Sequence, residues 1–145
     1  MALDVGDKWI GVAVSDETRL VSQPDAPIVN RGEDTVREIL SRAEAWQAEQ
    51  IVVGLPVSLN HTIGPQAIKV LRMVDALRER FWGSVVTWDE RLTSRMAERL
   101  LIEQAVRRKR RKALVDGLAA ALLLQSYLDF LRRQDSDHPN DPKAR

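Results

Sequence analysis

The chain has 145 residues, of which 44% are hydrophobic and 30% charged, with no cysteine and two histidines. This is the composition of one soluble globular domain with a sizeable core. The lack of cysteine excludes disulfides and thiolate zinc sites, and two histidines are too few for a histidine-rich metal site. Any bound metal would therefore be held by oxygen atoms, which favours Mg²⁺ or Mn²⁺.

No stretch of the sequence resembles a membrane or export signal. The N-terminus has no apolar run of the signal-peptide type, and the longest apolar run, residues 118–124, is too short to span a bilayer. We therefore expect a cytoplasmic protein.

The first predicted elements are two strands that form a hairpin. Leu3 and Val5 flank Asp4 in an apolar run, a turn at residues 6–8 begins with glycine, and apolar and small residues alternate over residues 10–15. Only three residues precede Asp4, so we expect either a short first strand or a native chain that begins earlier. A carboxylate inside a strand is costly unless a hydrogen bond, a counter-charge or a metal compensates it. Asp4 is therefore the strongest candidate for a functional residue.

The rest of the chain alternates between predicted helices and strands. A third strand is predicted at residues 26–29, a helix at 33–48, a strand at 51–55, a helix at 65–81, a strand at 85–88, a helix over 92–101 and a last helix at 113–131. This order predicts an α/β fold with a mixed five-stranded sheet flanked by helices. We expect residues 1–131 to form one domain and the polar residues 132–145 to be a disordered tail.

Three more carboxylates interrupt apolar context: Asp89, Glu90 and Asp116. Asp89 and Glu90 follow a predicted strand, where they could also cap a helix. Asp116 begins the last helix, and taken alone it is best interpreted as a first-turn acid that complements the helix dipole. If these groups converged with Asp4, they would form a site for two Mg²⁺ ions, which can catalyse phosphodiester hydrolysis.

Basic residues are concentrated beside these carboxylates. Residues 91–112 contain nine basic and two acidic side chains, a net charge of +7, which leaves −6 for the rest of a chain whose total is +1. A basic block on an otherwise acidic molecule indicates a polyanionic partner such as nucleic acid. The densest run, which we predict to bind nucleic acid, comprises Arg107, Arg108, Lys109, Arg110, Arg111 and Lys112.

An ordered set of segments resembles the YqgF/RuvX family, which is similar to Holliday-junction resolvases and has a ribonuclease H-like fold. The segments are Leu-Asp-Val-Gly at 3–6, Ile-Gly-Val-Ala-Val-Ser-Asp at 10–16, Val-Gly-Leu-Pro at 53–56, Gly-Pro-Gln-Ala at 64–67, Trp-Asp-Glu-Arg-Leu-Thr at 88–93, Val-Asp-Gly-Leu-Ala-Ala at 115–120 and Leu-Gln-Ser-Tyr-Leu at 124–128. Each segment alone is weak, but the ordered set is specific. The resemblance implies a ribonuclease H-like sheet and a nuclease that depends on Mg²⁺ or Mn²⁺.

The resemblance also implies roles for individual residues. It makes Asp4, Glu90 and Asp116 the catalytic carboxylates and metal ligands, with Asp89 as a further candidate ligand. Lys8, Arg91 and Thr93 are expected near the scissile phosphate. The fourth strand ends in Leu-Pro, with no acid where resolvases place one, so Glu90 from the fifth strand would have to fill that role.

The aromatic and histidine residues are interpreted mainly as structural. Trp9 stands where the family usually has a basic residue; packing is the favoured interpretation, with base stacking as the alternative. His61 stands where the family usually has glycine, and we interpret it as an exposed loop residue rather than a substrate contact. Trp46 and Trp88 are at core-like positions.

The preferred hypothesis is a metal-dependent nuclease that matures the 5′ end of the precursor of 16S ribosomal RNA, with the ribosome or its small subunit as a partner. The alternatives are a resolvase of branched DNA, and a non-catalytic ribosome-assembly or nucleic-acid-binding factor on the same fold. An actin-like or sugar-kinase ATPase also opens with an Asp-x-Gly turn, but its two domains do not fit in 145 residues.

Overall fold

One mixed sheet of five strands organises the chain. In a computed structural model, which describes residues 1–58, 60–93, 99 and 111–137 (for 111–116 the backbone only), the strands are β1 (Ala2–Val5), β2 (Trp9–Ser15), β3 (Ser22–Val29), β4 (Gln50–Leu55) and β5 (Ser84–Asp89). The α-helices of the described part are α1 (Glu33–Ala45), α2 (Pro65–Arg80) and α3 (Arg111–Asp137), and a 3₁₀ turn, Glu90–Leu92, follows β5.

The strand order is β3-β2-β1-β4-β5, with the N-terminal hairpin on one side and parallel strands on the other. β1 pairs antiparallel with β2 and parallel with β4, and β4 pairs parallel with β5. The edge strand β3 contains Pro24 and Pro27, which are tolerated at an edge because the outer side of the ladder is unpaired. The predicted α/β fold with a mixed five-stranded sheet is confirmed.

Helices cover the sheet on two faces. On one face, alternate strand residues such as Leu3, Ile10 and Val53 join the apolar sides of α1 and α2 in one core cluster. On the other face, the small residues Ala2 and Ala13 pack against α3. Because side chains alternate along a strand, Asp4 lies on the same face as Ala2, the one that α3 covers.

Several element boundaries differ from the prediction. β3 begins at Ser22 rather than at residue 26, since the Ser22 hydroxyl is buried and donates to the Ala121 carbonyl of α3 at 2.6 Å. α1 ends at Ala45 because Gln47 adopts a left-handed backbone with φ 54°. α3 continues past residue 131 to Asp137, so residues 132–137 of the predicted tail are helical.

Of the two tryptophans predicted to be in the core, one is not. Trp88 packs against Tyr127 and Phe130 of α3, with ring centroids 5.2 and 5.0 Å apart. Trp46 is 51% exposed, because it caps the end of α1, and its indole N–H donates to Asp25 at 2.9 Å. Most of the helix predicted over residues 92–101 lies outside the described residues, as do residues 138–145.

None of the described helices combines the length and the apolar character that a membrane crossing needs.

Candidate active site

The candidate site lies at the carboxyl ends of the three parallel strands. Asp4 is the third residue of β1, Leu55 ends β4, and Asp89 ends β5 and leads into the turn that begins with Glu90. In open α/β sheets, ligands bind outside the carboxyl ends of the strands. The topology therefore brings Asp4 and Glu90 to the same end of the sheet, although 85 residues separate them along the chain.

Glu90 reaches Asp4 by lying across a glycine of the strand between them. Gly54 follows Val53, which is the β4 partner of Leu3. A Cβ on Gly54 would stand 3.0 Å from Glu90 Oε1, 3.3 Å from Glu90 Cγ and 3.2 Å from a methyl of Leu123. Any side chain at this position would push Glu90 or α3 away. A glycine inside an apolar strand was the available signal in the sequence, because it often marks such a close approach.

The Glu90 carboxyl lies close enough to Asp4 for that residue to shift its pKa. Burial, and after it the charge of Asp4, raise the pKa of Glu90 to about 7, with a smaller contribution from the charge of Asp89. The charged form of Glu90 is disfavoured because two adjacent carboxylates repel each other. A divalent cation would relieve the same repulsion, and carboxylate oxygens are the ligands that Mg²⁺ and Mn²⁺ prefer.

Hydroxyl groups hold the turn that carries Glu90. The Ser126 hydroxyl of α3 donates to the Leu92 carbonyl at 2.6 Å and accepts from the indole N–H of Trp88 at 3.3 Å. The Thr93 hydroxyl donates to the Glu90 carbonyl at 3.0 Å. Thr93 therefore contacts the turn that carries Glu90. No feature of the sequence indicated the structural role of Ser126.

Asp89 and Arg91 form a separate polar group next to the carboxyl pair. The Arg91 guanidinium donates to both Asp89 oxygens, at 2.6 to 3.1 Å, and holds the pKa of that carboxyl below its usual value. Asp89 also accepts from the Arg91 backbone N–H at 2.9 Å. Its oxygens are thus occupied by Arg91, while Asp4 and Glu90 face each other.

Arg91 also ties the loop between β4 and α2 to this site. It donates to the Ser58 carbonyl at 3.3 Å and lies 3.4 Å from His61 Nδ1. His61 is exposed, as predicted, and its φ of 60° is the left-handed conformation that glycine adopts most easily. The loop thus keeps a glycine-like backbone although it carries an imidazole.

Other residues predicted for the site are less fully described. Lys8 is exposed in the tip of the β1–β2 hairpin. Asp116 lies in the first part of α3, on the face of the sheet that carries Asp4, but its side chain is outside the described part, as are those of the basic run at residues 107–112. Among the described residues, no three histidine, cysteine or acidic side chains form a group that could hold a metal.

The structure overturns the favoured interpretation of Trp9. Its side chain is not packed in the core but is 50% exposed, at the start of β2. Gly11 and Ala13, on the same face of β2 as Trp9, are buried, so Trp9 is exposed because it stands at the end of the strand.

The mixed sheet, the helix across one face and the paired carboxyls at the strand ends define a ribonuclease H-like nuclease domain. The comparison with known families agrees with this class. The sequence profile of the RuvX family, described as "Holliday junction resolvase", matches residues 1–130, and the chain belongs to that family.

Curated relatives cover nearly the whole chain. A protein of Thermoanaerobacter pseudethanolicus is 43% identical over 134 residues, covering 89% of this chain and 94% of the relative. A protein of Listeria monocytogenes is 46% identical over 135 residues, with 89% and 96% covered, and one of Geobacillus kaustophilus is 43% identical over 135 residues, with 91% and 98% covered. All three carry the name "Putative pre-16S rRNA nuclease".

Proposed function

We propose that this chain is a metal-dependent nuclease that trims the 5′ end of the 16S ribosomal RNA precursor. The observation that supports this most is the contact between the Asp4 and Glu90 carboxyls at the carboxyl ends of the parallel strands. The names of the curated relatives support the choice of substrate.

The donor set suits a hard divalent cation. Asp4 and Glu90 would hold Mg²⁺ or Mn²⁺, together with Asp116, which the family resemblance adds. The ion would supply activation of the attacking water and neutralisation of the charge that develops on the leaving oxygen. Because burial and the nearby Asp4 raise the pKa of Glu90 to about 7, its carboxyl must release a proton before it can bind a cation.

Neighbouring residues would orient the substrate. Lys8 and the basic run at residues 107–112 would contact phosphates, while Arg91 would offer the Nη1 N–H that its contacts with Asp89, Ser58 and His61 do not use. The partner is then the small-subunit RNA precursor or a particle that contains it, and the site of action is the cytoplasm.

The test is cleavage of labelled precursor RNA and of a four-way DNA junction, with Mg²⁺, Mn²⁺ or a chelator. We expect metal-dependent cutting of the RNA that Asp4→Asn and Glu90→Gln each reduce by more than about a hundredfold, since loss of a ligand exceeds the 10- to 100-fold effect of outer-shell changes. Asp7→Asn is the matched control, because Asp7 is an exposed carboxylate of the same hairpin that pairs with Lys69.

Cleavage of the DNA junction alone would show that the substrate is branched DNA and not the RNA precursor. RNA binding without cutting, equal in wild type and Asp4→Asn, would contradict the nuclease and identify a non-catalytic binding factor.

A further inference from the structure

Trp9 lies beside Asp4 on the same face of the β1–β2 hairpin. Asp4 pairs with Gly11 across the two strands, and Trp9 is two residues before Gly11. Because side chains alternate along a strand, Trp9 and Gly11 share one face. Trp9 and Asp4 are thus diagonal neighbours across the strand pair, at a separation of about 7–8 Å.

Two glycines stand opposite these two side chains. Gly6 stands opposite Trp9 and donates its N–H to the Trp9 carbonyl at 3.0 Å, and Gly11 stands opposite Asp4. On this face of the hairpin tip, Asp4 and Trp9 are therefore the residues with side chains, and the surface between them is formed by the backbone. A Cβ on Gly6 would stand 2.7 Å from the Trp9 carbonyl oxygen. A residue with a side chain at position 6 would therefore displace the strand that carries Trp9.

The backbone that carries Trp9 is held from several sides. Trp9 pairs with Val29 of β3. Asn30 donates its backbone N–H to the Lys8 carbonyl and its side-chain amide to the Gly6 carbonyl, each at 2.9 Å. A large aromatic side chain on a fixed backbone loses little conformational freedom when a ligand binds to it.

The other exposed tryptophans have different surroundings. Trp46 donates to Asp25, and Trp82 contacts Phe81 beyond the end of α2, before the start of β5. Trp82 thus lies where the parallel strand β5 begins, at the end of the sheet opposite to that of the carboxyl pair. Of the three exposed indoles, Trp9 is the one beside Asp4, with the exposed Lys8 next to it in the sequence.

We propose that Trp9 is a stacking platform for an unpaired base of the strand that is cleaved, next to the scissile phosphate. An indole face stacks on any base and does not require a particular sequence. In a duplex, the bases are stacked on one another and do not present their faces. This inference rests on the proposed nuclease function and narrows its substrate to one that is single-stranded at the cut.

The test measures binding to a short single-stranded RNA in chelator, so that no cutting occurs, by anisotropy of the labelled RNA and by quenching of tryptophan emission. We expect Trp9→Ala to weaken single-strand binding by about tenfold and to leave binding of the matching duplex unchanged. Trp9→Phe should restore most of the affinity, since it keeps an aromatic face. RNA should quench the emission of wild type and Trp82→Phe, and quench that of Trp9→Phe much less.

Trp82→Ala is the matched control for removal of an exposed indole, and it should bind as wild type does. The proposal is overturned if Trp9→Ala binds the single strand as tightly as wild type, or if single strand and duplex are weakened equally. Should Trp9→Ala fold poorly, the Trp9→Phe quenching result decides alone.

The outcomes separate this proposal from the proposed function. Metal-dependent cleavage that Asp4→Asn abolishes, with unchanged binding by Trp9→Ala, would overturn the platform and uphold the nuclease. Trp9-dependent binding with no cleavage in either metal would overturn the nuclease and uphold the platform.

Discussion

At the scale of single residues, the position of the Glu90 carboxyl depends on Gly54, the strand residue over which its side chain lies. Without a side chain at Gly54, the Glu90 side chain can lie across β4 and meet Asp4. In this position the Glu90 carboxyl loses part of its hydration, and this burial is the main reason that its pKa is raised. One glycine therefore sets both where the second carboxyl lies and how readily it ionises.

This protonation has a measurable effect on stability. In the metal-free protein, the pKa of Glu90 is about 7 when folded and near 4.5 when unfolded. Between these values the folded state binds more protons, so the free energy of unfolding is highest below pH 4.5 for this group and falls as the pH rises through 7. Each unit of pKa shift corresponds to about 1.4 kcal/mol, but solvent screens this partly exposed carboxyl, so we expect a loss of about 1–2 kcal/mol.

Urea unfolding of wild type and Glu90→Gln in chelator, at pH 5 and pH 8, isolates this contribution, since the amide does not titrate. The difference in the free energy of unfolding between the two pH values should be smaller in Glu90→Gln by about 1–2 kcal/mol. An identical pH dependence in the two proteins would contradict the raised pKa of Glu90.

At the scale of elements, the turn Glu90–Leu92 is held mainly by a helix distant in sequence. Ser126 of α3 is buried, and its hydroxyl connects the Trp88 side chain of β5 with the Leu92 carbonyl of the turn. α3 thereby fixes the position from which Glu90 reaches Gly54.

Ser126→Ala should therefore affect stability and activity. It leaves the Trp88 N–H and the Leu92 carbonyl without their partner, which should cost about 1–2 kcal/mol in the free energy of unfolding. Cleavage should also fall, because Glu90 loses its fixed position. Ser136→Ala is the matched control, since the exposed Ser136 hydroxyl donates to the Arg132 carbonyl of the same helix, and it should change stability by less than about 0.5 kcal/mol. Equal stability of the two variants would contradict a role for Ser126.

Local pattern predicted the elements better than their contacts. The alternation in β2 and the helical spacing in α1 and α2 were sufficient to place these elements, and a carboxylate inside β1 made Asp4 a candidate site residue. The contact of Glu90 with Gly54 could not be predicted, since it depends on the register of β4 against β1 and on the path of a turn after β5. Trp9 was misjudged for a related reason: burial on its face of β2 includes Gly11 and Ala13 but stops before the first residue of the strand, and the alternation of β2 does not show where burial stops.

At the scale of the whole molecule, charge is separated along the chain. Residues 91–112 carry +7 and the remainder −6. Cations neutralise phosphates and release counterions, so binding to nucleic acid through this segment should depend steeply on salt. The opposite side of the sheet also has cations on α1 and α2, but these are dispersed among acids and lie away from the face that carries Asp4.

A triple replacement in each region tests which cations contact the RNA. Replacing Arg107, Arg108 and Lys109 with Gln should weaken binding of single-stranded RNA. It should also reduce the slope of log K against log salt by about 2, since each phosphate contact to a single strand contributes about 0.7. The control replaces Arg37, Arg72 and Arg80, exposed residues of α1 and α2, and removes the same net charge. If both variants lowered the affinity and the slope equally, the long-range charge of the protein, and not contacts of the basic segment, would account for binding. A lower slope in the first variant alone would assign the phosphate contacts to Arg107, Arg108 and Lys109.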